Sequence, residues 1–268
     1  MKATIIGSWW AIPVPRAFCQ CDICIKARSI GYPYKKHGSS LYIHDIDTLI
    51  DCGEDIVDAL NDRDIKNLDN LFITHWHPDH TFGLRPLLQS YIDFATEKAE
   101  KQITIYLPKK VHEDLKQHFP SISYFVDVLG LAKIIYIEHN ETVNIGDIAI
   151  TCVWFTWSES ETFGYLFEQN KKKLLYTPCD TINFKQEIKD IDVLITECGI
   201  FDYDKVKTEI WFPDLMTKLK NSDIKKTILT HIEEVELRNF GRWYLEEMKK
   251  KYAEIPFEFG YDGLEIDI

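Results

Sequence analysis

Three histidines and an aspartate crowd six positions, His75-Trp76-His77-Pro78-Asp79-His80, directly behind the apolar run Leu71-Phe72-Ile73. The run reads as a buried strand, so the polar cluster stands where the backbone leaves a sheet. Residues two apart on extended backbone point to the same side, which puts His75 and His77 together. Asp79 and His80 follow on the turn into the next helix. Two sets of donors therefore face adjacent positions. Neutral imidazole and carboxylate oxygen suit Zn²⁺, Mn²⁺ or Fe²⁺. The alternative, a histidine-rich surface loop, gives no reason for this spacing immediately after an apolar strand.

Further runs rich in Ile, Val, Leu and aromatics predict strands at Ala3–Ile6, Ser40–Ile43, Thr48–Ile50, Ile103–Tyr106, Ile134–Ile137, Ile148–Trp154, Tyr165–Glu168, Lys173–Tyr176, Val193–Thr196, Thr227–Leu229 and Leu264–Ile266. Helical spacing predicts helices over Glu54–Asn61, Pro86–Lys101, Lys109–His118, Phe184–Asp190, Pro213–Lys220 and Glu233–Tyr252. Many strands come first without helices, and strands then alternate with helices. That order predicts an α/β sandwich with two sheets. With no low-complexity linker and no sequence repeat, residues 1–268 read as a single domain.

A formal net charge of −12 argues against a surface built to grip a nucleic-acid backbone. The seven cysteines, an odd and scattered set, do not form a secreted disulfide framework, and a reducing cytoplasm is the simpler expectation. The apolar start, Ala3 to Val14, carries two prolines and leads into cysteines, so it reads as a strand and a loop rather than a signal segment. No stretch approaches the length of a membrane span.

The His75–His80 segment resembles the H-x-H-x-D-H signature of the metallo-β-lactamase superfamily, metal-dependent hydrolases built as a four-layer αββα sandwich. Thr48-Leu49-Ile50-Asp51-Cys52-Gly53 resembles that family's strand and turn before the signature. Asp180, within Tyr176-Thr177-Pro178-Cys179-Asp180-Thr181, matches the aspartate that bridges two metals, and His231 matches the final ligand histidine. Three further segments, Cys19-Gln20-Cys21-Asp22-Ile23-Cys24, Thr162-Phe163-Gly164-Tyr165-Leu166 and Gly260-Tyr261-Asp262-Gly263-Leu264-Glu265-Ile266, resemble a subgroup typified by the phosphoribosyl 1,2-cyclic phosphate phosphodiesterases of carbon–phosphorus lyase pathways.

The resemblance implies one or two divalent ions (Zn, Mn or Fe). His75 and His77 would hold the first, and Asp79, His80 and His231 the second. Asp180 would bridge them, and Asp79 and Asp180 would be catalytic. Cys19, Cys21 and Cys24 would hold one structural zinc, where the subgroup's fourth ligand is a histidine and this chain has Glu234. Two positions depart from the pattern. No histidine occurs in Trp154–Glu161, where a further ligand is expected near Trp157 or Ser158, with Glu159 and Glu161 as substitutes. Phe212 stands in the place of a catalytic histidine.

The expected activity is hydrolysis of a small cyclic or nucleotide-like phosphodiester by a metal-activated hydroxide. An ester, thioester or lactone hydrolase and a non-catalytic ligand-binding scaffold remain as alternatives. The expected partner is a small-molecule substrate, with neither nucleic acid nor membrane, and the sequence leaves room for a homodimer. Trp9, Trp10, Trp154 and Trp157 are candidate pocket walls or core residues, and Tyr203, Trp211 and Phe212 a candidate lid.

Overall fold

Runs of β-branched, leucine and aromatic residues pair into strands throughout a computed structural model that describes residues 1–157, 161–179, 181–183, 189–202, 204, 209–232, 237 and 239–268. Asp180, Glu234, Ser158, Glu159 and Tyr203, the predicted helix Phe184–Asp190 except its last two residues, and the side chain of Trp157 lie outside the described residues. In chain order the strands are β1 (Lys2–Gly7), β2 (Ser40–Ile43), β3 (Thr48–Ile50), β4 (Asn70–Phe72), β5 (Ile92–Asp93), β6 (Lys98–Ala99), β7 (Ile103–Leu107) and β8 (Ala132–Tyr136). They continue with β9 (Thr142–Ile145), β10 (Ile148–Trp157), β11 (Glu161–Gln169), β12 (Lys172–Thr177), β13 (Val193–Glu197), β14 (Lys226–Thr230), β15 (Phe257–Phe259) and β16 (Glu265–Asp267). The helices are α1 (Asp22–Ile30), α2 (Ile56–Asp62), α3 (Pro78–Thr81), α4 (Leu84–Gln89), α5 (Lys109–His118), α6 (Phe212–Lys220) and α7 (Arg242–Lys251).

One sheet runs β16-β1-β2-β3-β4-β7-β8 and the other β15-β14-β13-β12-β11-β10-β9. Their faces follow from alternation along the strands. Leu174, Tyr176, Val193, Ile195 and Ile228 join the core shared with Leu41, Leu71 and Phe72 of the first sheet. The intervening Leu175, Leu194 and Leu229 face the opposite way, into a second core with Phe212, Leu215, Met216 and Leu219 of α6 and Met248 of α7. On the first sheet's side, Ile56 and Ala59 of α2, Leu84 and Leu88 of α4, and Val111 and Leu115 of α5 complete the shared core. The result is helix, sheet, sheet, helix, the predicted four-layer αββα sandwich. Phe72 lies in the shared core: it stacks on Tyr106 of its own sheet at 4.6 Å and meets Tyr165 of the other sheet edge-on at 4.9 Å. Burying a side chain of this size contributes roughly 1.5–3 kcal/mol.

Two predicted helices are corrected. The segment Pro86–Lys101 is helical only to Gln89 and then forms the β5–β6 hairpin. Asp93 accepts hydrogen bonds from the Ala95 amide at 2.8 Å and the Thr96 hydroxyl at 2.6 Å, and this local turn outcompetes the helix. The segment Glu233–Tyr252 is interrupted at Gly241, whose φ of +80° suits glycine. Its N–H donates to Leu237 O at 2.9 Å, closing one turn before α7 begins.

Candidate metal centre

Ile73 continues β4 by donating to Tyr106 O at 3.1 Å, and the chain then turns away from the sheet. Asp51, at the end of β3, fixes that turn. It is fully buried, and its carboxylate accepts from the Thr74 amide at 2.9 Å and the Thr74 hydroxyl at 2.8 Å. Its Oδ2 also lies 2.8 Å from Nδ1 of His80, which leaves Nε2 of His80 turned the other way. Pro78 starts the short α3 that carries Asp79 and His80. Gly53 is required beneath it, because a Cβ there would stand 2.3 Å from the backbone oxygen of Asp79.

His75 and His77 do point to one side. Nε2 of His75 and Nδ1 of His77 are 3.0 Å apart, and the Thr74 hydroxyl holds Nδ1 of His75 at 2.9 Å. Tetrahedral zinc with Zn–N bonds of 2.0–2.1 Å separates two nitrogens by about 3.3 Å, so this pair is spaced for one ion. A second group forms around Asp79. Donor atoms of Asp79, His80 and His231 lie within 4.8 Å of one another. His80 Nε2 is 3.3 Å and His231 Nε2 3.9 Å from Asp79 Oδ2.

His231 arrives from the other sheet. It follows β14, adopts a left-handed φ of +57°, and is held there by its amide donating to Ser8 O at 2.9 Å. A non-glycine residue in that region costs about 1–3 kcal/mol and is typical of functional sites. Trp10 stands edge-on to the His231 ring at 6.5 Å and donates from Nε1 to Glu209 at 3.0 Å. The same Glu209 oxygen is 3.7 Å from Nδ1 of His231.

The electrostatics fit a cation. Burial opposes charge on His80, but Asp79 and Asp51 outweigh it and push its pKa up to about 10. Burial would raise Asp79, yet His80 and His231 hold its carboxyl well below the usual range. His75 is driven well down by burial, with His80 and His77 adding to it. Among the described residues, His80 Nε2 and both ring nitrogens of His231 are buried without an aligned hydrogen bond. Each such atom costs about 1–3 kcal/mol if left so. A divalent ion that displaces the proton and takes the Nε2 lone pairs of His80 and His231 removes their part of the penalty, so the donor set fits the metals expected for it.

Other side chains gather here that the sequence did not single out. Cys179, just past β12, has its sulfur within 4.8 Å of donor nitrogens of His75 and His80, and within the same limit of Glu197 and His231. Asp51, Glu209 and Glu197 were likewise missed as site residues. Asp51 and Cys179 carried a sequence signal only as members of the Thr48–Gly53 and Tyr176–Thr181 segments. The aromatic expectations divide. Trp9 is 3% and Phe212 1% exposed, both inside the second core, so neither walls the site nor forms a lid. Phe212 packs against Phe201 at 4.9 Å and Tyr252 at 5.8 Å. Half-buried Trp211 donates its Nε1 to Phe201 O at 3.3 Å, and Trp154 packs against the shared core. Trp10 does border the site, and Trp76 stacks on His118 at 3.7 Å beside His77.

Away from this centre, the Cys19, Cys21 and Cys24 sulfurs lie within 4.8 Å of one another at the start of α1. Hydrogen bonds from Cys21 and its neighbours lower the Cys19 thiol to about 7. None of the seven cysteines forms a disulfide. Among the described residues, no helix is long and apolar enough to cross a membrane.

The donors from both sheets meet at the C-terminal ends of parallel strands, where α/β sheets gather ligands. The same architecture occurs in a diphosphatase from the PhnP family, with a TM-score of 0.77 and 20% identity over 100% of this chain and 97% of that one. It recurs in Zn²⁺-bound PqqB from Methylobacterium extorquens, with a TM-score of 0.77 and 18% identity over 100% of both chains. The ribonuclease Z of Methanococcus maripaludis is 32% identical over 135 residues, which are 48% of this chain and 37% of the relative. This match therefore spans well under two thirds of the relative's length. Residues 47–232, from the strand before the Asp51 turn to just past His231, match the model of the β-lactamase superfamily domain. The chain belongs to that family.

Proposed function

We propose that this protein is a metal-dependent hydrolase of a small cyclic or nucleotide-like phosphodiester. The observation that carries the reading is the convergence of buried imidazole nitrogens without aligned hydrogen bonds on Asp79, between the ends of two sheets. His75 and His77 would hold one ion and Asp79, His80 and His231 another, and Asp180 would serve as the shared ligand that the resemblance implies. Bound there, Zn²⁺, Mn²⁺ or Fe²⁺ supplies Lewis acidity and brings the pKa of water from 15.7 to about 7.

The chain's own residues do the rest. Asp51 fixes the His80 ring so that Nε2 faces the centre, and the Thr74 hydroxyl does the same for His75. Asp79 would orient the attacking group. Trp10 and Glu209 border the substrate side of His231. Phe212, in the core, donates no proton, so the leaving group is protonated by solvent or leaves as a weak base. A phosphorus centre is favoured over a carbonyl because the PhnP-family neighbour is a diphosphatase and the curated relatives are ribonucleases Z. The net charge of −12 favours a small molecule over RNA.

Residues 1–268 form one domain, Cys19, Cys21, Cys24 and Glu234 hold a structural zinc, and the protein works in a reducing cytoplasm. The test is turnover of bis(p-nitrophenyl) phosphate after loading with Zn²⁺, Mn²⁺ or Fe²⁺, beside p-nitrophenyl acetate and a ribo-oligonucleotide. Phosphodiester turnover lost in Asp180→Ala together with bound metal supports the proposal. Ester turnover alone selects the carbonyl hydrolase, RNA cleavage alone the nuclease, and no turnover with any metal the non-catalytic scaffold.

A further inference from the structure

We propose that Cys179 is a ligand of the metal centre, its thiolate making up in number for the histidine absent from Trp154–Glu161. The inference rests on the metal-centre reading above. His75 and His77 offer one ion two donors, whereas zinc sites with an open position keep three protein ligands. A further donor stands at the end of β12, where Pro178 ends the strand pairing and Cys179 follows, 6% exposed.

The surroundings of that sulfur decide the matter. A buried cysteine usually behaves as a small hydrophobe among carbon atoms. This one lies within 4.8 Å of donor nitrogens of His75 and His80, and equally of His231 and the Glu197 carboxylate. Zn–S of about 2.3 Å and Zn–N of about 2.0–2.1 Å put sulfur and nitrogen about 3.6 Å apart on a tetrahedral ion, within that limit. An independent observation points the same way. Two of these histidines, His80 at 0% and His231 at 3% exposure, keep ring nitrogens without aligned hydrogen bonds. A thiolate is a softer donor than the imidazole it replaces, so the centre takes Zn²⁺ in preference to Mn²⁺.

The test uses the full chain, stripped of metal and reloaded with Co²⁺, whose visible bands report any ligand and whose near-ultraviolet charge-transfer bands report sulfur. The Cys19–Cys24 cluster also contributes sulfur bands, so the wild type is compared with Cys179→Ser and Cys179→Ala. Alkylation of each cysteine in wild-type protein, with and without Zn²⁺ and read by peptide mass mapping, gives a second measure that needs no variant. The expected result is a partial loss of the charge-transfer band in both variants, zinc affinity lower by about 10–100-fold, and Cys179 alkylation at least tenfold slower in zinc-loaded protein. Unchanged bands and affinity in folded Cys179→Ser, or a Cys179 that reacts in metal-free protein and reacts equally fast with zinc bound, overturn the proposal. If Cys179 resists alkylation in both states, the cobalt difference alone decides. If wild type takes up no cobalt beyond that held by the cysteine cluster, the metal-centre reading itself fails, and this inference with it.

Discussion

Asp51 is not itself an expected ligand, yet it sets the direction of one. With a φ of +62° and full burial, it ties Thr74 and the back of the His80 ring to one carboxylate. Asp51→Asn keeps the shape but weakens the acceptor, and partners of this kind typically change metal affinity about 10–100-fold. Chelator competition checks this, and an unchanged affinity contradicts the role. His37, which is not among the expected ligands, gives a pH-dependent case. Burial opposes its charge, but Asp55 at 2.7 Å and Asp62 at 3.2 Å raise its pKa above the ordinary value. A raised pKa in the folded state stabilises below the unfolded value of about 6.5 and loses that contribution as pH rises through the folded value. The destabilisation of His37→Gln, read by urea unfolding, is therefore larger at acidic than at alkaline pH, and a constant or opposite trend refutes the pairing. At this scale the His75–His80 cluster was legible because its donors are contiguous. Asp51, Cys179 and Glu209 were not, because their meaning depends on which distant strand ends stand beside them.

Both sheets use one plan. Reading from β16 in the first and β9 in the second, three antiparallel pairings are followed by three parallel ones. The sequence shows no repeat because hydrogen-bond order constrains strand direction and not side-chain identity. The strands themselves were legible from alternation and β-branched runs. The hairpin within Pro86–Lys101 was not, since Asp93 and Thr96 act through local bonds that helical spacing does not register. Phe212 shows position overruling analogy, for it sits at the start of α6 but faces the core. Phe212→Ala is expected to lose about 3–5 kcal/mol of stability by leaving a cavity. Calorimetry checks it, together with a metal content that stays unchanged in the folded fraction. A loss below about 1 kcal/mol would place the ring outside the core.

Across the whole molecule the two sheets are joined by a shared core and by cross-sheet bonds, such as Tyr165 OH to Ile73 O at 2.7 Å and Phe163 N to Thr74 O at 3.1 Å. A single cooperative unfolding transition is expected for metal-loaded protein, and two resolved transitions in calorimetry contradict a one-domain chain. The donors of the centre come from both halves, so the claim of a metal-activated hydrolase concerns the assembled sandwich and no single motif. Its most direct test is metal analysis of purified, zinc-replete wild type beside His80→Ala and His231→Ala. The account predicts at least one ion more in the wild type than in either variant, with bis(p-nitrophenyl) phosphate turnover lost along with it. Equal metal content in all three proteins would contradict it.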